Sequence, residues 1–167
     1  SNNGVPADSF IPSCSPTRDP AYRGPWNHYD PDAARALVQK VETALGHPLP
    51  AFKLLVPDTD SASRQGAEFF VKQLENVGIH IQPEYATQAH AQERCDSRNF
   101  QIYIWGWAAG PDDSTFFMLF DKAQIPSPNL NAGSDIHPRF QALFEQASLI
   151  PMSPGRVLMY PELAKLR

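Results

Sequence analysis

Cysteine is nearly absent. Cys14 and Cys95 are the only two in 167 residues, so no disulfide framework holds this chain together. What remains is one bridge, which would suit an exported protein, or two unpaired thiols acting as small hydrophobes. A basic surplus is lacking too. The formal net charge is −4 and no stripe of Lys and Arg is visible, which argues against nucleic acid as a partner. No apolar run approaches the ~18 residues that cross a bilayer. No leader peptide is recognisable, so the sequence does not itself declare a compartment. There is no Gly-x-Ser-x-Gly elbow and no Walker loop. His28, His47, His80, His90 and His137 lack metal-ligand spacing, so surface or capping roles are expected for them, with no metal and no cofactor. Internal repeats and low-complexity tracts are missing as well.

What the chain does have is a core and an excess of proline. Hydrophobic residues make up 42%, enough for a single domain over residues 1–167. The 17 prolines are about twice the usual ~5%. Five lie before residue 30, so residues 1–29 are expected to be extended chain and turns that need a surface to lie on, with Trp26 as an anchor.

Helices and strands then alternate. Asp30-Pro31 is a helix start, a cap followed by a proline suited to the first turn. Ala34, Leu37, Val38, Val41 and Leu45 follow helical spacing up to a stop at Gly46. FKLLV at 52–56 reads as a buried strand. Ser61 or Ser63 is expected to cap a second helix with the stripe Ala67, Phe70, Leu74 and Val77, ending at Gly78. A strand follows over 79–85 and a short polar helix over 88–96. The third strand, 100–105, is bulky on both faces, as for a strand covered on both sides. Beyond the Gly110-Pro111 turn come a short helix at 114–121, a loop over 122–135, and a helix from Pro138 with Phe140, Leu143, Phe144 and Ala147 on one face. Ser153-Pro154 opens the last helix, which Pro161 is expected to kink or split. The alternation implies an α/β layered fold with a partly parallel, mixed sheet flanked by helices.

The most informative stretch is FQIYIWGWAAGPDD, 100–113, where an apolar strand runs into Trp-Gly-Trp and then an acidic turn. Large aromatics at the mouth of a strand suit a flat or apolar ligand. The stretch also completes an ordered series: GVPADSFIP at 4–12, YDPDAARALVQKVETALG at 29–46, LENVGIHI at 74–81, GWAA at 106–109, Asn131, an aromatic helix at 138–148, and PGRVLMY at 154–160. In order and spacing this series resembles lobe II of the family 5 extracellular solute-binding proteins. These are the oligopeptide, dipeptide and nickel binding proteins of ABC importers, and they have a periplasmic-binding-protein type II fold.

The resemblance implies a lobe that binds a small solute or peptide together with a lobe I missing from this chain, then presents the ligand to an ABC permease in the membrane. It implies a periplasmic or membrane-anchored extracellular location and no catalysis. Trp107 matches the position that lines the cleft. Trp105, Gly106, Ala108, Ala109, Gly110, Asp112 and Asn131 complete the candidate ligand set, with Trp105 also read as packing and Asn131 also as a loop brace. Gly110 departs from the pattern: peptide-binding members commonly carry an Asp there for the peptide's amino group, and glycine has no carboxylate. Asp112 and Asp113 are the substitutes in reach, or else belong to a solvated turn or helix cap.

Two rivals have some support. Pro57-Asp58-Thr59-Asp60 after a strand resembles the nucleophile motif of haloacid dehalogenase-type phosphohydrolases, with Asp112 and Asp113 holding Mg²⁺. Pro57 intrudes there and Ala62 stands where that family prefers Thr or Val, so an acidic turn before a helix fits better. A ligand-sensing domain of a transcription regulator is the other alternative, since solute-binding folds are reused that way.

Overall fold

Strand β1, Phe52–Pro57, is the centre of a small parallel sheet. The computed structural model describes residues 9–24, 27–57, 60–104, 113–126 and 130–166. They fall into two compact units, residues 29–106 and residues 1–28 with 107–167.

In the first unit, α1 (Pro31–Leu45) starts as its sequence predicts. The Asp30 carboxylate accepts from the Ala33 amide at 2.9 Å, and Pro31 occupies the first turn. Helix α2 (Ser61–Glu75) is capped by Asp60 rather than by a serine, its Oδ1 accepting from the Ser63 amide at 2.8 Å. A carboxylate at that position both accepts the bond and meets the helix dipole favourably. Thr87 caps α3 (Gln88–Asp96).

Strand β2 (Ile81–Ala86) pairs along all of β1, from Phe52↔Ile81 to Pro57↔Ala86. It lies at a sheet edge, where the missing N–H of Pro83 is tolerated. Strand β3 is only Ile102–Tyr103, paired to β1 at Leu54 and Leu55. The order is β2-β1-β3 and every described pairing is parallel, so the mixed sheet of the sequence reading is parallel throughout its described part. Expected over 100–105 and covered on both sides, β3 is instead a short, half-buried edge, with Ile104 50% exposed.

Alternation decides the packing. Leu54 and Val56 join Ala67 and Ile81 in one core, with Val71, Leu74 and Ile102 at its margin. Leu55, 1% exposed, points the other way, on the side where α3 buries Ala91 and Cys95. Cys14 and Cys95 are free thiols, the first exposed and the second buried. The stripe predicted for α1 is only partly covered. Val38 is its one buried residue, and Leu37, Val41 and Leu45 are 44–49% exposed.

Glu84 ties this layer together. Its carboxylate meets Lys53 of β1 at 2.8 Å and Arg94 of α3 at 2.9 Å. The Lys53 bond first, then that of Arg94, holds its carboxyl below the ordinary 4.5. A depressed carboxyl contributes stability that is complete above its unfolded value and is lost as pH falls through the folded one. The chain is therefore expected to lose stability as the pH drops below about 4.5, more steeply than Glu84→Gln does. Thermal melts of the two proteins between pH 3 and 7 check this; parallel acid limbs would refute it.

The second unit is built on rings. Phe117, Phe140, Phe144, Tyr160 and Leu163 form its core with Ile11. They come from α4 (Ser114–Phe117), α5 (Pro138–Ser148) and α7 (Tyr160–Lys165). Between α5 and α7, α6 spans Pro154–Val157. The predicted last helix is thus two short pieces, and Pro161 sits in the first turn of the second, where its missing N–H costs nothing. The expected loop 122–135 opens with a 3₁₀ turn, Lys122–Gln124. His137 caps α5, its Nδ1 accepting from the Phe140 amide at 3.1 Å.

The proline-rich opening segment lies on this core. Ile11 is 2% exposed, and the Phe10 ring stands 4.9 Å from that of Phe120 and 6.0 Å from that of Phe116. Trp26, the expected anchor, lies outside the described residues.

Candidate functional site

Parallel strands place their loops together at the carboxyl end of the sheet, and that is where open α/β sheets receive ligands. At this end residues 29–106 form a pocket of about 480 Å³. Leu55, Val56 and Pro57 close β1 beneath it, and Ile104 follows β3. Helix α2 supplies Ser63, Gly66, Ala67, Phe69 and Phe70, and α3 supplies Gln88 from its first turn. The lining is apolar except for Ser63 and Gln88.

Two features mark this pocket as more than a packing gap. Phe69 is 67% exposed and Phe70 37% exposed on neighbouring positions of one helix, an aromatic surface without a cover. Gly66 sits in the middle of α2, where glycine costs about 1 kcal/mol relative to alanine. A Cβ built on it would meet nothing within 4 Å. Its bare backbone thus leaves the wall of the pocket open to close approach.

The sequence reading placed Phe70 on the core stripe, offered Ser63 as a helix cap and Ile104 as part of the third strand, and did not single out Phe69, Gly66 or Gln88. The legible signal was the Phe69-Phe70 pair itself. Adjacent helical residues point about 100° apart, so the pair gives the helix a broad aromatic face, and both rings line this pocket.

Of the candidate ligand set, Trp105, Gly106, Trp107, Ala108, Ala109, Gly110 and Asp112 lie outside the described residues, as does the Gly110-Pro111 turn. In sequence they continue directly from Ile104 of the pocket. Asn131 is described and is 1% exposed. Its Nδ2 donates to the Asp121 and Asp135 carbonyls at 3.2 and 3.0 Å, and its Oδ1 accepts from the Asp135 amide at 3.3 Å. The side chain braces its own loop. Beside it Gln141, 6% exposed, does similar work: its Nε2 donates to Asp121 at 2.9 Å and its Oε1 accepts from the Lys122 amide at 2.9 Å.

Asp113 belongs to neither a solvated turn nor a side-chain cap. It is 6% exposed, makes no capping bond to α4, and accepts from the hydroxyls of Ser15 and Thr17. Asp60 caps α2, and Asp58 lies outside the described residues. Among the described residues no group of three or more His, Cys, Asp or Glu is placed to hold a metal, and no helix is long and apolar enough to cross a membrane.

The same fold occurs in larger solved proteins. HbpA2 from Haemophilus parasuis superposes with a TM-score of 0.79 at 19% identity, over 96% of this chain and 31% of that one. DppA from Helicobacter pylori, in complex with the peptide STSA, gives 0.82 at 19% identity, over 96% and 30%. AppA from Bacillus subtilis, in complex with a nonapeptide, gives 0.81 at 17% identity, over 97% and 34%. This chain therefore spans about a third of their length. No curated protein sequence matches it. The profile of the bacterial extracellular solute-binding proteins, family 5 (middle), matches residues 1–126 of the 167, and the chain belongs to that family.

Proposed function

We propose that this chain is the ligand-binding lobe II of a two-lobed solute-binding protein, and that its pocket at the carboxyl end of the sheet takes an apolar group of a peptide or comparable small solute. The observation that carries this reading is the uncovered aromatic wall of Phe69 and Phe70 over the bare backbone of Gly66, at the strand end from which the chain runs into Trp105–Trp107. A ligand there is held by apolar burial. Ser63 and Gln88, in the first turns of two helices, offer polar groups where the helix dipoles favour a carbonyl or carboxylate. Peptide complexes of the fold relatives DppA and AppA support the peptide class, while Gly110 supplies no carboxylate for a free amine. A ligand modified at its amino end, or one that is no peptide, fits that feature.

In the whole protein the second lobe completes the buried surface, closure excludes water, and the closed form docks on an ABC permease. Half a site binds weakly. The protein works outside the cytoplasmic membrane and catalyses nothing.

Ligand that co-purifies with the two-lobed protein, identified by native mass spectrometry, supplies the probe. Trp107→Ala is expected to weaken its binding by roughly 1–3 kcal/mol, and Gly66→Leu by a similar amount, with unfolding midpoints preserved. Unchanged affinity in both variants refutes the site. Mg²⁺-dependent hydrolysis of a phosphate ester, lost in Asp58→Asn, refutes the non-catalytic reading.

A further inference from the structure

The apolar pocket at the carboxyl end of the sheet has a slot in its wall, and the slot has a shape. Gly66, Phe69 and Phe70 of α2 share one face of the helix and all line the pocket. At about 100° per residue, Phe69 lies about 60° to one side of Gly66 and Phe70 about 40° to the other. Helical side chains lean towards the amino end of their helix and cover the turn before their own. The two rings therefore lean back on either side of the Gly66 backbone. A Cβ at Gly66 would meet nothing within 4 Å, so no neighbouring side chain fills the space between them. Among the described residues neither ring has an aromatic partner, whereas Phe117 and Phe140 of the second unit pack on each other and on further rings.

Charge is missing from the lining. Among the described residues none that lines the pocket is Asp, Glu, Lys or Arg. The nearest charged side chains on α2 have other work. Asp60 caps the helix, and the Arg64 guanidinium lies over the Tyr85 ring, 4.8 Å from its centroid. A charged group entering the pocket would give up its hydration with no counter-ion to replace it. A branched aliphatic group would be buried but would forgo the offset and edge-on contacts that aromatic faces prefer. A flat, uncharged ring meets both conditions. The volume of about 480 Å³ lies within the roughly 300–1,000 Å³ of small-molecule sites. At the rim the Gln88 carboxamide, in the first turn of α3, can both donate and accept.

We propose that the pocket selects an uncharged aromatic ring, seated over the Gly66 backbone between Phe69 and Phe70, with a polar substituent of the ring turned towards Gln88. This rests on the reading of the pocket as the ligand site and adds what that site discriminates. Phe69 and Phe70 then set the preference for a ring, and the uncharged lining sets the preference against lysine-like or carboxylate groups.

The test is calorimetric titration of the two-lobed protein with capped tripeptides, acetyl-Ala-X-Ala-amide, in which X is tyrosine, leucine or lysine. The tyrosine peptide is expected to bind roughly fivefold tighter than the leucine peptide and roughly tenfold or more tighter than the lysine peptide. Phe69 is 67% exposed, so Phe69→Leu keeps the fold and an apolar wall while removing one ring. In that variant the tyrosine-to-leucine ratio is expected to fall to about two or less. A ratio unchanged by Phe69→Leu overturns the proposal. Equal affinity for the tyrosine and leucine peptides, with both weakened by Gly66→Leu, overturns the ring preference and leaves the pocket as the site. Binding insensitive to Gly66→Leu overturns the pocket and the ring preference together. p-Cresol, the bare tyrosine side chain, separates the sources of the ring. Binding of the tyrosine peptide assigns a peptide side chain, and binding of p-cresol without any peptide assigns an aromatic solute that is no peptide. Silence of p-cresol and of all three peptides overturns the proposal as well.

Discussion

Phe117→Ala is expected to remove about 3–5 kcal/mol of stability, a large share of the roughly 5–15 kcal/mol typical of a folded domain. Phe117 is fully buried and sits among three other rings, 5.4 Å from Tyr160, 5.9 Å from Phe10 and 6.2 Å from Phe140. Truncation removes the transfer free energy of the ring and leaves a void that rigid aromatic neighbours cannot fill by changing rotamer. Phe10 comes from the opening segment, so the same change should expose residues 9–24 to proteolysis. Urea unfolding measures the first effect and limited digestion the second. A loss under about 1 kcal/mol would mean that the cluster collapses freely and is not close-packed.

The second large effect is expected at Asp113. Its buried carboxylate holds two hydroxyls of a segment about a hundred residues away in sequence, Ser15 and Thr17. Hydrogen bonds to a charged group contribute about 1.5–3 kcal/mol each. The two hydroxyls also contact each other at 3.0 Å and can recover part of the loss, so Asp113→Ala should cost about 2–3 kcal/mol net. Asp113→Asn keeps an acceptor oxygen and should cost less. A double-mutant cycle with Thr17→Val, read by urea unfolding, isolates the pair. Zero coupling energy would show that the carboxylate acts only through burial.

These two predictions rest on residues whose roles the sequence conveyed unequally. Asp30-Pro31, Gly46, Gly78 and Ser153-Pro154 act where local rules place them, because a cap or a left-handed stop is decided within four or five residues. Pro161 divides the last helix for the same reason. FKLLV is legible as a buried strand because Leu54, Leu55 and Val56 offer no polar face, although Lys53 at its start stays exposed. β3 is less legible: its bulky residues suit a covered strand, but only strand order decides that it is an edge. Leu37, Val41 and Leu45 have perfect helical spacing and stay half exposed, since periodicity says which residues share a face and not whether anything covers it. Asp113 reads as a turn residue until the distant hydroxyls that it binds are known. The Phe69-Phe70 pair carried a usable signal, since two adjacent rings widen the aromatic face of the helix beyond the stripe that holds Phe70.

By itself the sequence determined the alternation of helices and strands, the cap of the first helix and the glycine stops of the first two, the aromatic face of the helix from Pro138, and the family pattern that runs through GWAA and its neighbours. Each is local chemistry or linear order, and linear order survives unfolding. Only the tertiary structure decided which strand lies in the middle, which rings remain uncovered at its carboxyl end, and which carboxylate fastens the opening segment. It alone gathered Lys53 and Arg94 around Glu84. Those outcomes depend on which residues meet across tens of positions, and close packing, not spacing along the chain, selects them.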